Sequence, residues 1–326
     1  MKTLVTGGAG YVGSHMVETL LEAGHEVVVL DDLSSGHRDA VSERARFVQG
    51  DVGNTKDVSA LLEREGIEAV LHFAAKIRVE ESVTDPRVYF RGNLVATLGL
   101  LEAVLDAGVR KFVFSSTAAV YGTPEAVPID EDHPLRPVNP YGETKLAIER
   151  ALEAYGNAYG LKWAALRYFN AAGAHHEKGL GERHDPESHL IPIVLDVAVG
   201  TRASISVFGT RYPTPDGSCV RDYIHVRDLA DAHLRALEYL EAGGQSRAFN
   251  LGTGHGHTVR EVVASARKVT GKPIPIVEAE PRAGDPAELV AKVDRAKNAL
   301  GWQPKRTDLD TIVADAWAWK QKAQKR

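Results

Sequence analysis

Tyr141 and Lys145 are the residues of this chain best spaced for acid–base chemistry. Just ahead of them, Asn139-Pro140 reads as an N-cap followed by proline at the first helical position, so a helix is predicted to begin there. A spacing of four is about one helical turn, which puts phenol and ammonium on one face. A free phenol has a pKa of about 10 and is a poor base at neutral pH. Bringing it to ~7 requires roughly 4 kcal/mol, at about 1.36 kcal/mol per pH unit. A lysine ammonium ~5 Å away supplies about 3 kcal/mol at an effective dielectric of ~20. With one further cation nearby, the pair is sufficient to take a proton from a hydroxyl. Alone, Tyr-x-x-x-Lys also describes an exposed helix face. What surrounds it decides.

The elements that must position the pair begin at the first residues. Leu4-Val5 ends an apolar strand and Thr6-Gly7-Gly8-Ala9-Gly10-Tyr11-Val12-Gly13 follows it into a helical pattern. A strand, a glycine-rich turn and a helix N-terminus aim backbone N–H groups and a helix dipole at one point suited to a pyrophosphate. Gly7 makes the tight turn, Gly10 admits a phosphate, and Gly13 lets the helix lie close on the strand. The next strand ends in Asp31-Asp32. A carboxylate there accepts both ribose hydroxyls of an adenosine and repels a 2′-phosphate. The next basic residue, Arg38, is too far along to clamp such a phosphate, which favours NAD over NADP.

Strands are predicted at 2–6, 26–31, 46–49, 68–73, 110–115 and 162–168, with helices near 13–23, 55–65, 86–107 and 141–159. This alternation of doubly apolar strands with helices predicts an α/β, doubly wound parallel (Rossmann) sheet. Gly7, Asp31, Asp51, the Phe73-Ala74-Ala75 run and Ser115-Ser116-Thr117 all fall at predicted carboxyl ends, where such a sheet binds its ligand. Beyond Ala171 regularity falls, with helices expected near 189–199, 227–241, 258–270 and 309–323. The expected division is a cofactor domain over 1–170, also receiving 218–252, and a smaller, discontinuous mixed α/β lobe over 171–326.

The bulk composition is ordinary: 326 residues, 44% hydrophobic and 25% charged, with a net charge of −5. That balance gives no reason to expect nucleic acid or an anionic membrane as partner. A single cysteine, Cys219, excludes an intrachain disulfide and suits a reducing compartment. With Met1-Lys2 entering a strand at once, and no apolar run reaching the ~18 residues of a membrane span, a cytoplasmic protein is expected.

Together these motifs resemble the extended short-chain dehydrogenase/reductase superfamily, through residues 6–13, Asp51-Val52, Asn93, Ser115-Ser116-Thr117 and Tyr141/Lys145. Within it the chain resembles the UDP-glucose 4-epimerase family. The segments that carry this are His72–Ala75, Phe114–Gly122, Arg167-Tyr168-Phe169-Asn170, Val220–Val226 and Asn250-Leu251-Gly252, and the likeness runs through the whole chain. It implies a redox isomerase of galactose metabolism with tightly held NAD. Tyr141 would take the 4-OH proton while hydride passes from C4 to NAD, and the 4-keto sugar would turn over and receive it on the other face. Thr117 would share the proton transfer and Lys145 would also hold the nicotinamide ribose. The resemblance adds Tyr11, Val12, Asp32, Val52, Lys76, Asn93, Ser115, Tyr168 and Phe169 to the cofactor contacts. It assigns the UDP-sugar to Thr117, Tyr141, Asn170, His189, Leu190, Ser206, Phe208, Arg221, Tyr223, Val259, Arg282, Asp285 and Leu289, with Arg221 and Arg282 on the pyrophosphate. It also implies a homodimer paired through 86–107 and 141–159.

Related 4,6-dehydratases, and in general UDP-glucuronate decarboxylases, carry acid–base groups just after the Ser-Thr strand end, where this chain has Ala118 and Ala119. Epimerisation therefore fits best. Another NAD-dependent nucleotide-sugar 4-epimerase (of UDP-GlcNAc, or of a UDP-pentose or uronate) is the alternative, and a non-catalytic NAD-sensing regulator stands against the intact Tyr141/Lys145/Thr117 set. Leu289 flanks the sugar's C2 substituent by the same resemblance; where relatives have tyrosine, N-acetylated sugars are excluded. The histidines 175, 176, 184 and 189 lack a fixed i, i+4 pair with a carboxylate, so no metal is expected and the loop reads as polar.

Overall fold

The structure, a computed structural model, describes residues 1–282 and 285–323. Its centre is a parallel sheet built from β1 (Lys2–Thr6), β2 (Glu26–Asp31), β3 (Arg46–Gln49), β4 (Ala69–His72), β5 (Lys111–Thr117), β6 (Lys162–Tyr168) and a seventh strand, Arg247–Leu251. Across the sheet the order is Arg247–Leu251, β6, β5, β4, β1, β2, β3. Alternation within the strands explains why both faces are covered. Val5, Val27, Val29, Leu71, Val113, Leu166 and Phe249 point into a core shared with helices Tyr11–Glu22 and Val226–Glu241. Their neighbours Leu4, Val28, Leu30, Val70, Phe112, Phe114 and Ala165 enter the core under helices Thr55–Glu65, Ala96–Asp106 and Pro140–Tyr159. Such strands are apolar at every position because neither face meets water.

The order reverses at β1, which lies between β4 and β2 and so makes the switch point where a crevice opens at the carboxyl ends. Gly7 leaves β1 with φ 71°, a conformation that favours glycine, and a Cβ on it would stand 2.5 Å from the Ala74 nitrogen after β4. The two loops flanking the crevice are thus in backbone contact.

From Asn170 the chain builds a second, mixed sheet. Val220–His225 pairs in parallel with Asn170–Ala172 and Glu288–Leu289, and antiparallel with Gly256–Thr258. Ile205–Phe208 pairs with Ile276–Ala279 beside it. A third core of Ile191, Leu195, Val262, Val263, Ile312 and Val313 joins helices Leu190–Val199, Val259–Thr270 and Leu309–Ala323. Buried Asp222 pins this sheet to the first: it accepts from the backbone nitrogens of Thr253, Gly254 and Ala291 at 2.7, 3.1 and 3.2 Å.

The helix expected over 86–107 forms with an internal change of winding. Pro86–Tyr89 runs into a π-helical segment, Phe90–Val95, before Ala96–Asp106 resumes α geometry. The run Pro86–Asp106 is 21 residues long and apolar enough, by length and composition alone, to cross a membrane, contrary to expectation. Its second half is a core helix: Leu100, Leu101, Ala103 and Val104 are fully buried.

Candidate active site

Helix Pro140–Tyr159 starts as predicted, with Asn139 Oδ1 accepting from the Gly142 nitrogen at 2.9 Å. Gly142 is required by proximity, since a Cβ there would meet the Ala119 carbonyl oxygen at 2.7 Å. That close approach brings the first turn against the end of β5, so Tyr141 and Thr117 meet, both more than nine-tenths buried. Lys145 lies one turn on, donating to the Ser115 carbonyl at 2.8 Å, with its ammonium 4.8 Å from the Phe114 ring and 5.9 Å from that of Tyr141.

Burial dominates the electrostatics here. It raises the Tyr141 phenol, an effect only partly countered by a hydrogen bond with Thr117. It also pulls Lys145 down to about 7, against the upward pull of Glu149. Desolvation, which the spacing of the two residues does not carry, therefore sets the phenol's resting state. In the chain alone Tyr141 rests as a phenol, poised for a cation to arrive.

Glu149 is a residue that spacing from Tyr141 could have revealed, standing eight positions on along the same face. Its buried carboxylate binds Arg167, with Nε at 3.0 Å from Oε1, and also accepts from Ser116 Oγ. Arg167 continues to Tyr121 Oη at 2.9 Å, and Tyr121 donates to Asn250 Oδ1 at 2.6 Å. A buried polar chain therefore braces the reactive helix and the Ser-Ser-Thr strand end against the last strand of the sheet.

The glycine turn matches its predicted construction. The Gly10 nitrogen donates to the Gly7 carbonyl at 3.1 Å. A Cβ on Gly13 would lie 2.1 Å from that same oxygen, so only glycine lets this helix sit so close. Asp31 ends β2 with one carboxylate oxygen on the Ala9 nitrogen (2.9 Å) and the other on that of Leu33 (2.8 Å). Arg38 instead lies over the Phe47 ring at 4.5 Å. Asp32 and Asp51 cap their own turns, accepting from Ser34 and Gly53 nitrogens at 2.8 Å, and Val52 packs on the core below. Asn93, within the π segment, clamps the loop after β4: it accepts from the Lys76 nitrogen at 2.8 Å and donates to its carbonyl at 3.0 Å. Thr97 donates to the Asn93 carbonyl at 2.6 Å, so its oxygen must accept from His72 Nε2, and Thr6 Oγ1 then donates to His72 Nδ1 at 2.7 Å. Phe73 packs 4.8 Å from the His233 ring, Tyr168 stands edge-on to that ring at 6.3 Å, and Tyr168 Oη meets Ser115 Oγ at 2.8 Å. Phe169 packs beside them. The cradle that a Cβ would fill and the carboxylate at the end of β2 both fit NAD; a basic group that reaches the following loop, Lys76, donates to Ser34 Oγ at 3.4 Å.

In the second half, Asn170 and Tyr223 are register partners, as are Arg221 and Leu289. Arg221 is ion-paired with Asp285, and the Arg282 guanidinium covers the Phe208 ring at 4.2 Å. Ser206 lies on the same strand as Phe208. Leu190 and Val259 are the first residues of their helices. Leu289 and Phe169 pack against the cluster of Ala118, Val120, Tyr121, Ile129 and Leu146 that follows the Thr117 end of β5. Ala283 and Gly284, within the Arg282–Asp285 turn, lie outside the described residues. His189 is turned toward Glu182, with His184 and Glu187 close by.

A doubly wound parallel sheet with Tyr141, Lys145 and Thr117 at its carboxyl edge is the build of an extended short-chain dehydrogenase/reductase. The model of the NAD dependent epimerase/dehydratase family matches residues 3–252, and the chain belongs to that family. A UDP-glucose 4-epimerase of Lacticaseibacillus casei is 52% identical over 319 residues, covering 98% of this chain and 96% of that one. The structure of UDP-glucose 4-epimerase from Brucella ovis in complex with NAD matches with a TM-score of 0.95 at 46% identity, covering 97% of each chain. The UDP-Glc/GlcNAc 4-epimerase of Campylobacter jejuni matches with a TM-score of 0.87 at 42% identity, covering 98% of this chain and 99% of that one.

Proposed function

We propose that this chain is a UDP-glucose 4-epimerase that interconverts UDP-glucose and UDP-galactose using tightly held NAD. The observation that carries the reading is the convergence of Tyr141, Thr117 and Lys145 beside a turn, Ala118–Val120, that offers no other proton carrier. Bound NAD would supply the hydride acceptor and donor for the sugar's C4. Tyr141 takes the 4-OH proton and gives it back, and Thr117 hydrogen-bonds both that oxygen and the phenol. Lys145, fixed by the Ser115 carbonyl, biases Tyr141 toward phenolate and offers its remaining protons to a ribose. The glycine turn, Asp31 and the Asn93-clamped loop would hold the dinucleotide. Arg221, Arg282 and Phe208 hold the UDP pyrophosphate and base, with Asn170, Leu190, Tyr223 and Asp285 around them.

This reading divides the chain into a cofactor half built on the seven-stranded sheet and a sugar half built on the mixed one. It also makes the exposed apolar side chains Val83, Val88, Phe90 and Val95, together with Tyr159, the two-fold contact of a homodimer. The lone buried thiol of Cys219 suits the cytoplasm. The test is to incubate purified protein with UDP-glucose and no added cofactor, following UDP-galactose by NMR and the nucleotides released on denaturation. Turnover with about one NAD per chain is expected. A strict need for exogenous NADPH, consumed stoichiometrically, would refute the reading.

A further inference from the structure

The segment before helix Leu190–Val199 folds four metal-capable side chains onto one point. Glu182, His184, Glu187 and His189 each contribute one ligand atom, and these atoms lie within 4.8 Å of one another. His184 Nδ1 stands 3.2 Å from Glu182 Oε1 and 3.6 Å from Glu187 Oε1, and His189 Nδ1 contacts the same Glu182 oxygen. Ligands at the bond lengths usual for tetrahedral zinc are about 3.3 Å apart, a spacing the two His184 distances bracket, whereas the tighter His189–Glu182 contact would open as a metal enters.

Two independent observations point to a cation. His184 Nδ1 is sealed from solvent and makes no aligned hydrogen bond, although two carboxylates flank it. A single oxygen of Glu182 faces two ring nitrogens at once. His189 Nδ1 hydrogen-bonds that oxygen, so the His184 ring is the one left without an acceptor of its own, its buried nitrogen set between two carboxylates as a metal ligand would be. The frame is also built in advance. Glu187 Oε1 is held by the Ser188 and His189 nitrogens at 2.8 and 2.9 Å, and the Glu182 carbonyl accepts from Trp319 Nε1 at 3.1 Å. His37 Nε2 donates to the Arg183 carbonyl at 2.9 Å.

We propose that Glu182, His184, Glu187 and His189 form a structural site for a divalent transition metal of the zinc class. Two neutral imidazoles with two carboxylates suit zinc, whereas calcium and magnesium call for oxygen donors throughout. The two carboxylates neutralise the dication, and four protein ligands leave no position for substrate. The metal is therefore a staple. It ties the glycine turn, whose Tyr11 ring meets His184 edge-on at 6.4 Å, to the first turn of helix Leu190–Val199. This holds whether or not the chain is an epimerase.

The experiment uses tag-free full-length protein, stripped with a chelator and reloaded with Zn2+ or Co2+ alone. About one zinc per chain is expected by elemental analysis, with intense tetrahedral Co2+ d–d absorption and a melting temperature raised by zinc. His184→Ala and Glu187→Gln should each weaken zinc binding at least ~10-fold while keeping bound NAD and native circular dichroism. Less than about a tenth of an equivalent after reloading wild type, or wild-type affinity in both variants, overturns the proposal. If the variants do not fold, the wild-type Co2+ spectrum decides: lack of tetrahedral bands is equally fatal.

Discussion

Replacing Lys145 by methionine should stabilise the cofactor-free chain at neutral pH while abolishing turnover. The side chain is 3% exposed, and burial brings its ammonium from 10.5 to about 7. The folded state therefore holds this proton less tightly than the unfolded state does. The resulting penalty on folding is full below pH 7 and fades as pH rises toward 10.5. At about 1.36 kcal/mol per pH unit it amounts to roughly 5 kcal/mol at its maximum, about 4 at pH 7 and about 2 at pH 9. Methionine removes that term but strands the Ser115 carbonyl, a loss of about 1–3 kcal/mol that does not vary with pH. The advantage of Lys145→Met over wild type should accordingly shrink by about 2 kcal/mol between pH 7 and pH 9. Urea unfolding of both NAD-stripped proteins at pH 7, 8 and 9 measures this, and comparing the two cancels other groups. Stopping at pH 9 keeps below the range where unfolded tyrosines ionise. A stability difference that stays flat or widens over that window would show that the ammonium is well solvated, and the electrostatic account of the site would fail.

Tyr141→Phe should keep NAD and UDP-sugar binding and lose about 10²–10⁴-fold in turnover, or roughly 3–5 kcal/mol of barrier; near-wild-type rates would move the base role to Thr117. Gly13→Ala drives a methyl to 2.1 Å from the Gly7 carbonyl, so the variant should purify with little NAD and lose about 2 kcal/mol or more of stability. The absorbance ratio of the purified protein and its melting curve check both effects. Leu289 lacks a ring beside the Thr117 strand end, so wild type should epimerise UDP-GlcNAc measurably but more slowly, and Leu289→Tyr should abolish that while sparing UDP-glucose. Paired kinetics on both sugars decide; if wild type and Leu289→Ala both ignore UDP-GlcNAc, the selectivity lies elsewhere.

The cofactor half was readable because its signals are local. Strands such as Val27–Leu30 are apolar throughout, and the Asn139-Pro140 start of the reactive helix is written in two adjacent residues. The second half resisted because its strands are short and carry charge. Val220–His225 has Arg221 and Asp222 inside it, and the residues that justify them, Asp285 and Thr253, are distant in sequence. The π segment carries the Asn93–Lys76 clamp, a tertiary contact that periodicity cannot express. The resemblance gives His189 to the UDP-sugar, whereas in the fold it turns to Glu182, a partner that no motif marks. The phenol's electrostatics were incomplete for a different reason: spacing reveals a neighbouring charge but not how deeply it is buried.

The strand Arg247–Leu251 closes the first sheet on β6 only after the chain has made its whole first excursion through the second half. During synthesis, β6 must wait on the ribosome with an open edge while Asn170 to Gln245 emerge, and that edge is a template for pairing with other nascent chains. The order of the elements thus makes maturation non-modular. A fragment ending at residue 170 would carry the glycine turn, Asp31, Tyr141 and Lys145 and still lack the strand that seals its sheet. Such a fragment is expected to expose the edge of β6 to pairing with other chains.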